Sequence, residues 1–125
     1  MKPQVVKEII EGRPEDNKIV KEFLPQIIRE TGFSEENLKV VLGGMRDAVI
    51  YGSSAILNDL PIKAAAKTGT AQTSKKDYYY NWVTVIAPYD NPEIVLTVLV
   101  EDVPGVRAAA LPVAHETLKW YFGNR

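Results

Sequence analysis

Residues 94–100 read IVLTVLV, a run of apolar and β-branched side chains with hardly any polar alternation. This composition favours a strand, and a strand without alternation is typically covered on both faces. Residues 82–87 form a second candidate strand, and the link between them, residues 88–92, is rich in turn-forming Pro, Asp and Asn. We therefore predict an antiparallel hairpin within a sheet that has helices packed on both faces.

A helix is predicted ahead of these strands. Ser34 is a good N-cap for a helix that begins at Glu35, and Gly52 is predicted to close it in the left-handed conformation. Gly43 and Gly44 each cost the helix about 1 kcal/mol, which favours close packing there over simple tolerance. Apolar residues recur at helical spacing at Leu38, Leu42, Met45 and Val49.

The two ends of the chain give weaker signals. Residues 5–10 are predicted to be a short strand and residues 11–18 a turn. Residues 19–28 carry a helical stripe, but Pro25 interrupts it, so irregular or partly extended structure is predicted. Pro112 suits the first turn of a final helix, with an apolar stripe at Leu111, Ala114, Leu118, Tyr121 and Phe122.

The composition excludes several classes of protein. The 125 residues suffice for one domain or a large piece of one. A formal charge of −1 gives no sign of a nucleic-acid surface. The absence of cysteine rules out disulfides and thiolate chemistry within the sequence. The first residues lack the apolar core of a signal peptide, and no apolar run approaches the roughly 20 residues of a membrane helix.

The most informative motif lies in the first of three predicted strands, residues 62–73. Residues 64–72 read AAAKTGTAQ and contain Lys67-Thr68-Gly69. The tripeptide Lys-Thr-Gly is a signature of serine enzymes that react with penicillin. Alone it is weak, because chance produces it in roughly a few per cent of chains of this length. Its flanking sequence makes the match much more specific.

With its flanks, the chain resembles class B penicillin-binding proteins of the kind that serve cell elongation, over nearly its whole length. It departs from the family pattern at Ala66, where the family usually has Gly. It also departs at residues 80–83, which read YNWV where the family usually has His-Ala-Trp-Phe. The resemblance is carried by residues 3–6, 44–49, 67–72, 82, 87–88, 90–93, 100–102 and 109–122.

The resemblance implies a fold and an activity. Residues 1–125 would be the C-terminal part of a transpeptidase domain, an α/β (α+β) fold of the β-lactamase and transpeptidase type. The parent would cross-link peptidoglycan stem peptides that end in D-Ala-D-Ala, and β-lactams would mimic that substrate. Partners would be stem peptides, β-lactams and the upstream part of the domain, with no nucleic acid. The parent would be extracytoplasmic, anchored in the cytoplasmic membrane by a segment absent from this chain, with no metal or organic cofactor.

The resemblance also implies roles for the motif residues. Lys67 would place an ammonium near the substrate carboxylate and assist proton transfer. Thr68 and Thr70 would offer hydroxyl donors to that carboxylate, and the backbone N–H of Thr70 would be the second oxyanion donor. Gly69 has no Cβ, so substrate could lie against the strand. Lys67 and Thr70 are thus the predicted catalytic residues, and residues 67–70 together form the predicted substrate-binding set.

The family's nucleophile motif, Ser-x-x-Lys, does not occur in this sequence, and neither does Ser-x-Asn. Tyr79-Tyr80-Asn81 offers the Tyr-x-Asn of related serine enzymes, but it follows the motif strand, where the family has no such triad. We therefore expect the isolated chain to be inactive. We also expect it to self-associate, because its predicted strands need cover on both faces and the chain supplies few helices to provide it. The third residue after each serine is Asn37, Ile56, Leu57 or Asp77, for Ser34, Ser53, Ser54 and Ser74 respectively.

Two alternatives remain open. The parent could be a β-lactamase or a β-lactam sensor of the same superfamily, or the chain could be a non-catalytic remnant or binding module. Loops centred on Glu or Trp upstream of this chain would discriminate the first alternative. Ser-x-x-Lys and Ser-x-Asn motifs upstream would exclude the second, because they would establish a truncated enzyme. His115, the one histidine, is predicted to be a packing or surface residue.

Overall fold

The computed structural model describes residues 5–12, 18–30, 32–105 and 107–124. The chain divides into two compact units, Met1–Phe33 and Ser34–Arg125. None of the helices in the described ranges is long and apolar enough to cross a membrane.

The first unit contains a two-stranded antiparallel sheet of β1 (Glu8–Glu11) and β2 (Lys18–Glu22). The sequence predicted the first strand but not the second, whose β-branched Ile19 and Val20 outweigh the helical spacing of their neighbours. The residues around Pro25 form no helix, as predicted. The predicted turn falls largely on residues 13–17, outside the described residues. Large apolar side chains are exposed throughout this unit: Val5, Val6, Ile9, Ile10, Ile19, Val20, Leu24, Ile27, Ile28 and Phe33.

The second unit is built on a three-stranded antiparallel sheet. Its strands are β3 (Ala65–Gln72), β4 (Tyr78–Ala87) and β5 (Ile94–Pro104), in the order β3-β4-β5. The predicted hairpin of the second and third strands is confirmed. Strand β4 begins at Tyr78, earlier than predicted, because the three tyrosines continue the pairing with β3 and β5.

Two helices and a short 3-10 helix complete this unit. Helix α1 (Glu35–Ile50) begins as predicted after Ser34, whose hydroxyl oxygen accepts a hydrogen bond from the N–H of Asn37 at 3.3 Å. Residues Ala55–Asp59 form the 3-10 helix. Helix α2 (Ala110–Gly123) carries Pro112 in its first turn, as predicted. These elements confirm the predicted α+β fold class.

Glycines in and after α1 differ from expectation. The prediction of a left-handed Gly52 is wrong, because the positive-φ glycines of the described residues are Gly12 and Gly105. A Cβ on Gly52 would instead lie 2.7 Å from the Cα of Ala48, so the backbone itself approaches the helix too closely for any side chain. Conversely, a Cβ on Gly43 or Gly44 would meet nothing within 4 Å, which favours tolerance over close packing there.

Both helices contribute to a single core on one face of the sheet. Val49 of α1 and Leu118 of α2 are fully buried, together with Val83 and Val85 of β4. On the opposite face, Trp82 is 42% exposed and its cross-strand partner Leu99 is 38% exposed. The described residues therefore supply one of the two helical layers that the apolar third strand predicted, and leave the other face of the sheet uncovered.

His115 ties α2 to the 3-10 helix. It is 6% exposed, and its two ring nitrogens lie 2.6 Å from Asp59 Oδ1 and 3.0 Å from Glu116 Oε1. A buried imidazole held between two carboxylates is fixed in orientation. Its role in this unit is therefore packing and polar cross-linking, in agreement with the packing interpretation.

Strands β4 and β5 lose register near the cavity described below. Tyr79 pairs with Val103 and Asn81 with Val100, so β5 holds one extra residue between these pairs. Asp102 in this bulge has a φ of 52°, a left-handed conformation that Asp tolerates better than most residues. A bulge of this kind bends the strand and redirects the side chains around it.

Candidate active site

The Lys-Thr-Gly motif lies on the free edge of the sheet. Strand β3 pairs with β4 along its whole length, from Ala65 opposite Ile86 to Gln72 opposite Tyr79. Among the described residues, no strand pairs with its other side. Half of its backbone N–H and C=O groups are therefore available to an extended ligand, as on the sheet edges to which peptides add.

The four predicted site residues fall on two faces of β3. Successive side chains of a strand point to opposite faces. Thr68 and Thr70 share the face of Val83 and Asn81, where the helices pack, whereas Lys67 and Gly69 share the face of Thr84 and Trp82. The structure thus brings the two threonines together and places the lysine across the strand from them.

A cavity of about 260 Å³ opens beside the two threonines. Hydroxyl groups, an amide and a guanidinium surround it, and they can direct hydrogen-bond donors into it. Such a set suits an anionic group of a ligand. The lining residues are Ser53, Thr68, Thr70, Asn81, Arg107 and Ala108.

Ser53 reaches the cavity from the end of α1. Its Oγ lies 3.1 Å from Oγ1 of Thr68, within hydrogen-bonding distance. Gly52 permits this approach, because its close contact with Ala48 brings the chain back against the helix immediately before Ser53. The sequence analysis weighed Ser53 only as a nucleophile and missed this contact, since nothing in the local sequence connects it to residue 68.

Arg46 fixes the segment that leads into β3. Its Nη1 donates to the carbonyl oxygen of Ala64 at 2.9 Å, and its Nη2 donates to Oδ1 of Asn58 at 3.4 Å. Arg46 belongs to the Gly-Met segment of α1 that carries part of the family resemblance. The helix therefore anchors the strand three residues before Lys67.

Lys67 is exposed, and its ammonium donates to the carbonyl oxygen of Thr68.

Tyr51 precedes Ser53 by two residues. The hydrogen bond between Tyr51 and Asp47 raises the pKa of the Tyr51 phenol, and desolvation and the charge of Asp47 raise it by smaller amounts. Among the described residues, no group of three or more His, Asp or Glu side chains is placed to hold a metal ion.

Tyr79 and Asn81 do not form a separate catalytic triad. Both belong to β4, and Asn81 is buried at 5% exposure, with its amide bonded within the fold.

Asn81 and Arg107 were not predicted as cavity residues. Asn81 could have been suspected as a polar residue on the inward face of a strand, whereas Arg107 lies in a connection whose path the sequence does not reveal.

The fold and the edge motif define the class of protein. The transpeptidase domain of a peptidoglycan glycosyltransferase from Eggerthella lenta has the same fold, with a TM-score of 0.75 over 94% of this chain at 20% identity. The family model of the penicillin binding protein transpeptidase domain matches residues 1–121. The chain belongs to this family of penicillin-binding transpeptidase domains.

Two relatives agree with this placement. The peptidoglycan D,D-transpeptidase MrdA of Haemophilus influenzae is 33% identical over 76 residues, which are 61% of this chain. Penicillin-binding protein 2A of Bacillus subtilis is 31% identical over an alignment of 112 residues that covers 80% of this chain. The matched regions span only 12% and 16% of these two proteins, and the chain covers 26% of the Eggerthella lenta structure.

Proposed function

We propose that this chain forms one wall of the active site of a serine-type D,D-transpeptidase that cross-links peptidoglycan stem peptides. A segment outside this sequence would supply the nucleophile in a Ser-x-x-Lys motif. The observation that carries the proposal is the position of the motif. Residues 67–70 lie on a strand edge that pairs with no other described strand, and two of their hydroxyls line a cavity suited to an anion.

Each motif residue then has a role in acyl transfer. Thr68 and Thr70 would bind the terminal carboxylate of the stem peptide from the cavity side. The backbone N–H of Thr70 would be one of two donors to the oxyanion, each of which typically lowers the barrier by about 3–4 kcal/mol. Gly69 would leave room for the substrate backbone along the strand.

Lys67 would act from the other face of β3. Its side chain leaves the strand on the uncovered face of the sheet, where a further part of the domain could pack against Trp82 and its neighbours. Its ammonium reaches the carbonyl oxygen of Thr68. A serine from that part could exchange a proton with the nucleophile while Lys67 stabilises its alkoxide. We also place the parent outside the cytoplasm, with a membrane anchor beyond this sequence, because its substrate is the cell wall.

The test is acylation of the complete encoded protein by a fluorescent penicillin. The wild-type protein should give a covalent adduct that survives denaturing electrophoresis. Lys67→Ala should slow its formation at least about 100-fold, since a charge that acts on the transition state is lost. Lys63→Ala is the matched control. It removes a lysine whose ion pair with Asp90 is exposed and should leave the rate unchanged.

The outcome also separates the alternatives. An adduct that forms and then hydrolyses within seconds would identify a β-lactamase instead. Failure of the wild-type protein to form any adduct would indicate a non-catalytic chain. Equal rates for Lys67→Ala and wild type would remove Lys67 from the site.

A further inference from the structure

The side chain of Asn81 connects α2 to the motif strand. Its Oδ1 accepts a hydrogen bond from the backbone N–H of Ala110 at 2.9 Å, and this bond is buried. Its Nδ2 donates to Oγ1 of Thr70 at 3.5 Å. Thr70 is also its direct cross-strand partner. One amide group therefore bridges the first residue of a helix and a hydroxyl of the cavity.

The orientation of this amide is set by the helix. The backbone N–H of Ala110 can only donate, so the amide oxygen has to face it. Ala109, at the N-cap position, provides no side-chain hydrogen bond to the start of α2. A flipped amide would set two donors against each other and leave a buried backbone N–H without an acceptor, which native structures avoid. The NH₂ group of Asn81 must therefore face Thr70.

This orientation determines what the hydroxyl of Thr70 can do. A hydroxyl has one proton and can both donate and accept. Because Thr70 Oγ1 accepts a hydrogen bond from Asn81, its own proton remains for another partner. The open direction is the cavity, where Ser53, Thr68 and Arg107 also face.

We propose that Asn81 is a positioning residue that commits the hydroxyl of Thr70 to donate into the cavity, toward an anionic group of the acyl donor. The inference rests on the proposed transpeptidase function and adds to it a residue that acts through the hydroxyl of Thr70. Asn81 acts by setting the direction in which the Thr70 hydroxyl donates its proton. The hydrogen bond from the backbone N–H of Ala110 keeps the Asn81 amide from turning.

The decisive variant is Asn81→Asp in the complete protein. An aspartate keeps an oxygen facing Ala110 but replaces the amide donor with a second acceptor. Thr70 would then donate to residue 81 and no longer to the ligand. The measurement is the second-order rate of acylation by benzylpenicillin and by its methyl ester, which lacks the anionic charge. Asn81→Asp should slow the carboxylate compound by roughly 10- to 100-fold and the ester by less than about threefold.

The same Asn81→Asp substitution in a Thr70→Val protein distinguishes an effect on the Thr70 hydroxyl from charge repulsion between the new aspartate and the ligand. Thr70→Val removes the hydroxyl and keeps the backbone N–H. If Asn81 acts through this hydroxyl, Asn81→Asp should add little further loss in the Thr70→Val protein, a coupling that a double-mutant cycle measures. Asn81→Ala introduces no charge. It should also lower the ratio of the acylation rate with benzylpenicillin to that with the methyl ester, by a smaller factor. This variant replaces Asn81→Asp as the test if the aspartate variant does not fold.

Two results would overturn the inference. Asn81 would be only a structural cap if its variants slowed both compounds equally. Simple repulsion would explain the effect if Asn81→Asp cost as much in the Thr70→Val protein as in the wild type. A wild-type protein that forms no adduct with benzylpenicillin would instead refute the proposed function, and this inference with it.

Discussion

The hydroxyl oxygens of Ser53 and Thr68 lie 3.1 Å apart and join the end of α1 to the motif strand. Thr68 is one of the two threonines that line the cavity and are proposed to bind the substrate carboxylate. The contact with Ser53 therefore holds the Thr68 side chain in one rotamer. Ser53→Ala should lower the rate of penicillin acylation of the complete protein by about two- to tenfold, the worth of one neutral hydrogen bond. The measurement is the rate of labelling by a fluorescent penicillin.

The neighbouring serine provides the control. Ser54 is fully buried, and its hydroxyl has no hydrogen-bond partner among the described residues. Removing a buried hydroxyl without a partner costs nothing in hydrogen bonding. Ser54→Ala should thus keep both the acylation rate and the melting temperature at or above wild type. Equal slowing by the two substitutions would contradict the role given to Ser53.

Gly52 should not tolerate a side chain. The Cβ of Gly52→Ala would lie 2.7 Å from Ala48 Cα and 3.0 Å from the Ala48 carbonyl oxygen. Both are backbone atoms, so the chain itself must move, and overpacking of this kind costs about 1–3 kcal/mol. The displaced segment carries Ser53, so the melting temperature and the acylation rate should fall together.

Gly43→Ala is the matched control for this substitution. It lies inside α1, and an added Cβ would meet nothing within 4 Å. Alanine is favoured over glycine in a helix interior by about 1 kcal/mol, so thermal unfolding should shift upward and acylation should not change. Destabilisation by Gly43→Ala comparable to that of Gly52→Ala would show that α1 packs more tightly than described.

Gly69 should matter for substrate and not for folding. The Cβ of Gly69→Val would lie 3.5 Å from Trp82 Cβ, an ordinary contact, and valine favours strands. The melting temperature should be unchanged, whereas acylation should slow at least about tenfold as the branched side chain displaces the substrate. Ala71→Val, two residues further along the same face of β3, should affect neither. A collapse in stability would make Gly69 a backbone residue without a substrate role.

Local sequence predicted most of the elements and the family. The hairpin, the cap at Ser34 and the position of α2 follow from short-range patterns, and Lys67-Thr68-Gly69 with its flanks indicated the class of protein. The 3-10 helix was missed, because a five-residue turn leaves no periodic pattern. The second strand of the first unit was missed because its apolar residues also fit a helical spacing.

The cavity could not be predicted in the same way. Ser53 meets Thr68 across 15 residues of sequence, and Asn81 meets Ala110 across 29. Such contacts depend on how α1 and α2 pack against the sheet, which one sequence does not specify. Strand alternation does predict that Lys67 and Thr68 lie on opposite faces. The family resemblance alone had grouped them at one carboxylate.

The central claim is that the nucleophile lies outside this chain, and locating the penicillin adduct tests it most directly. The complete encoded protein would be acylated, digested and mapped by mass spectrometry, with the 125-residue chain treated in parallel. We predict an adduct on a serine of a Ser-x-x-Lys motif beyond these residues, and none on the isolated chain. A penicilloyl group on Ser34, Ser53, Ser54 or Ser74 would contradict the account.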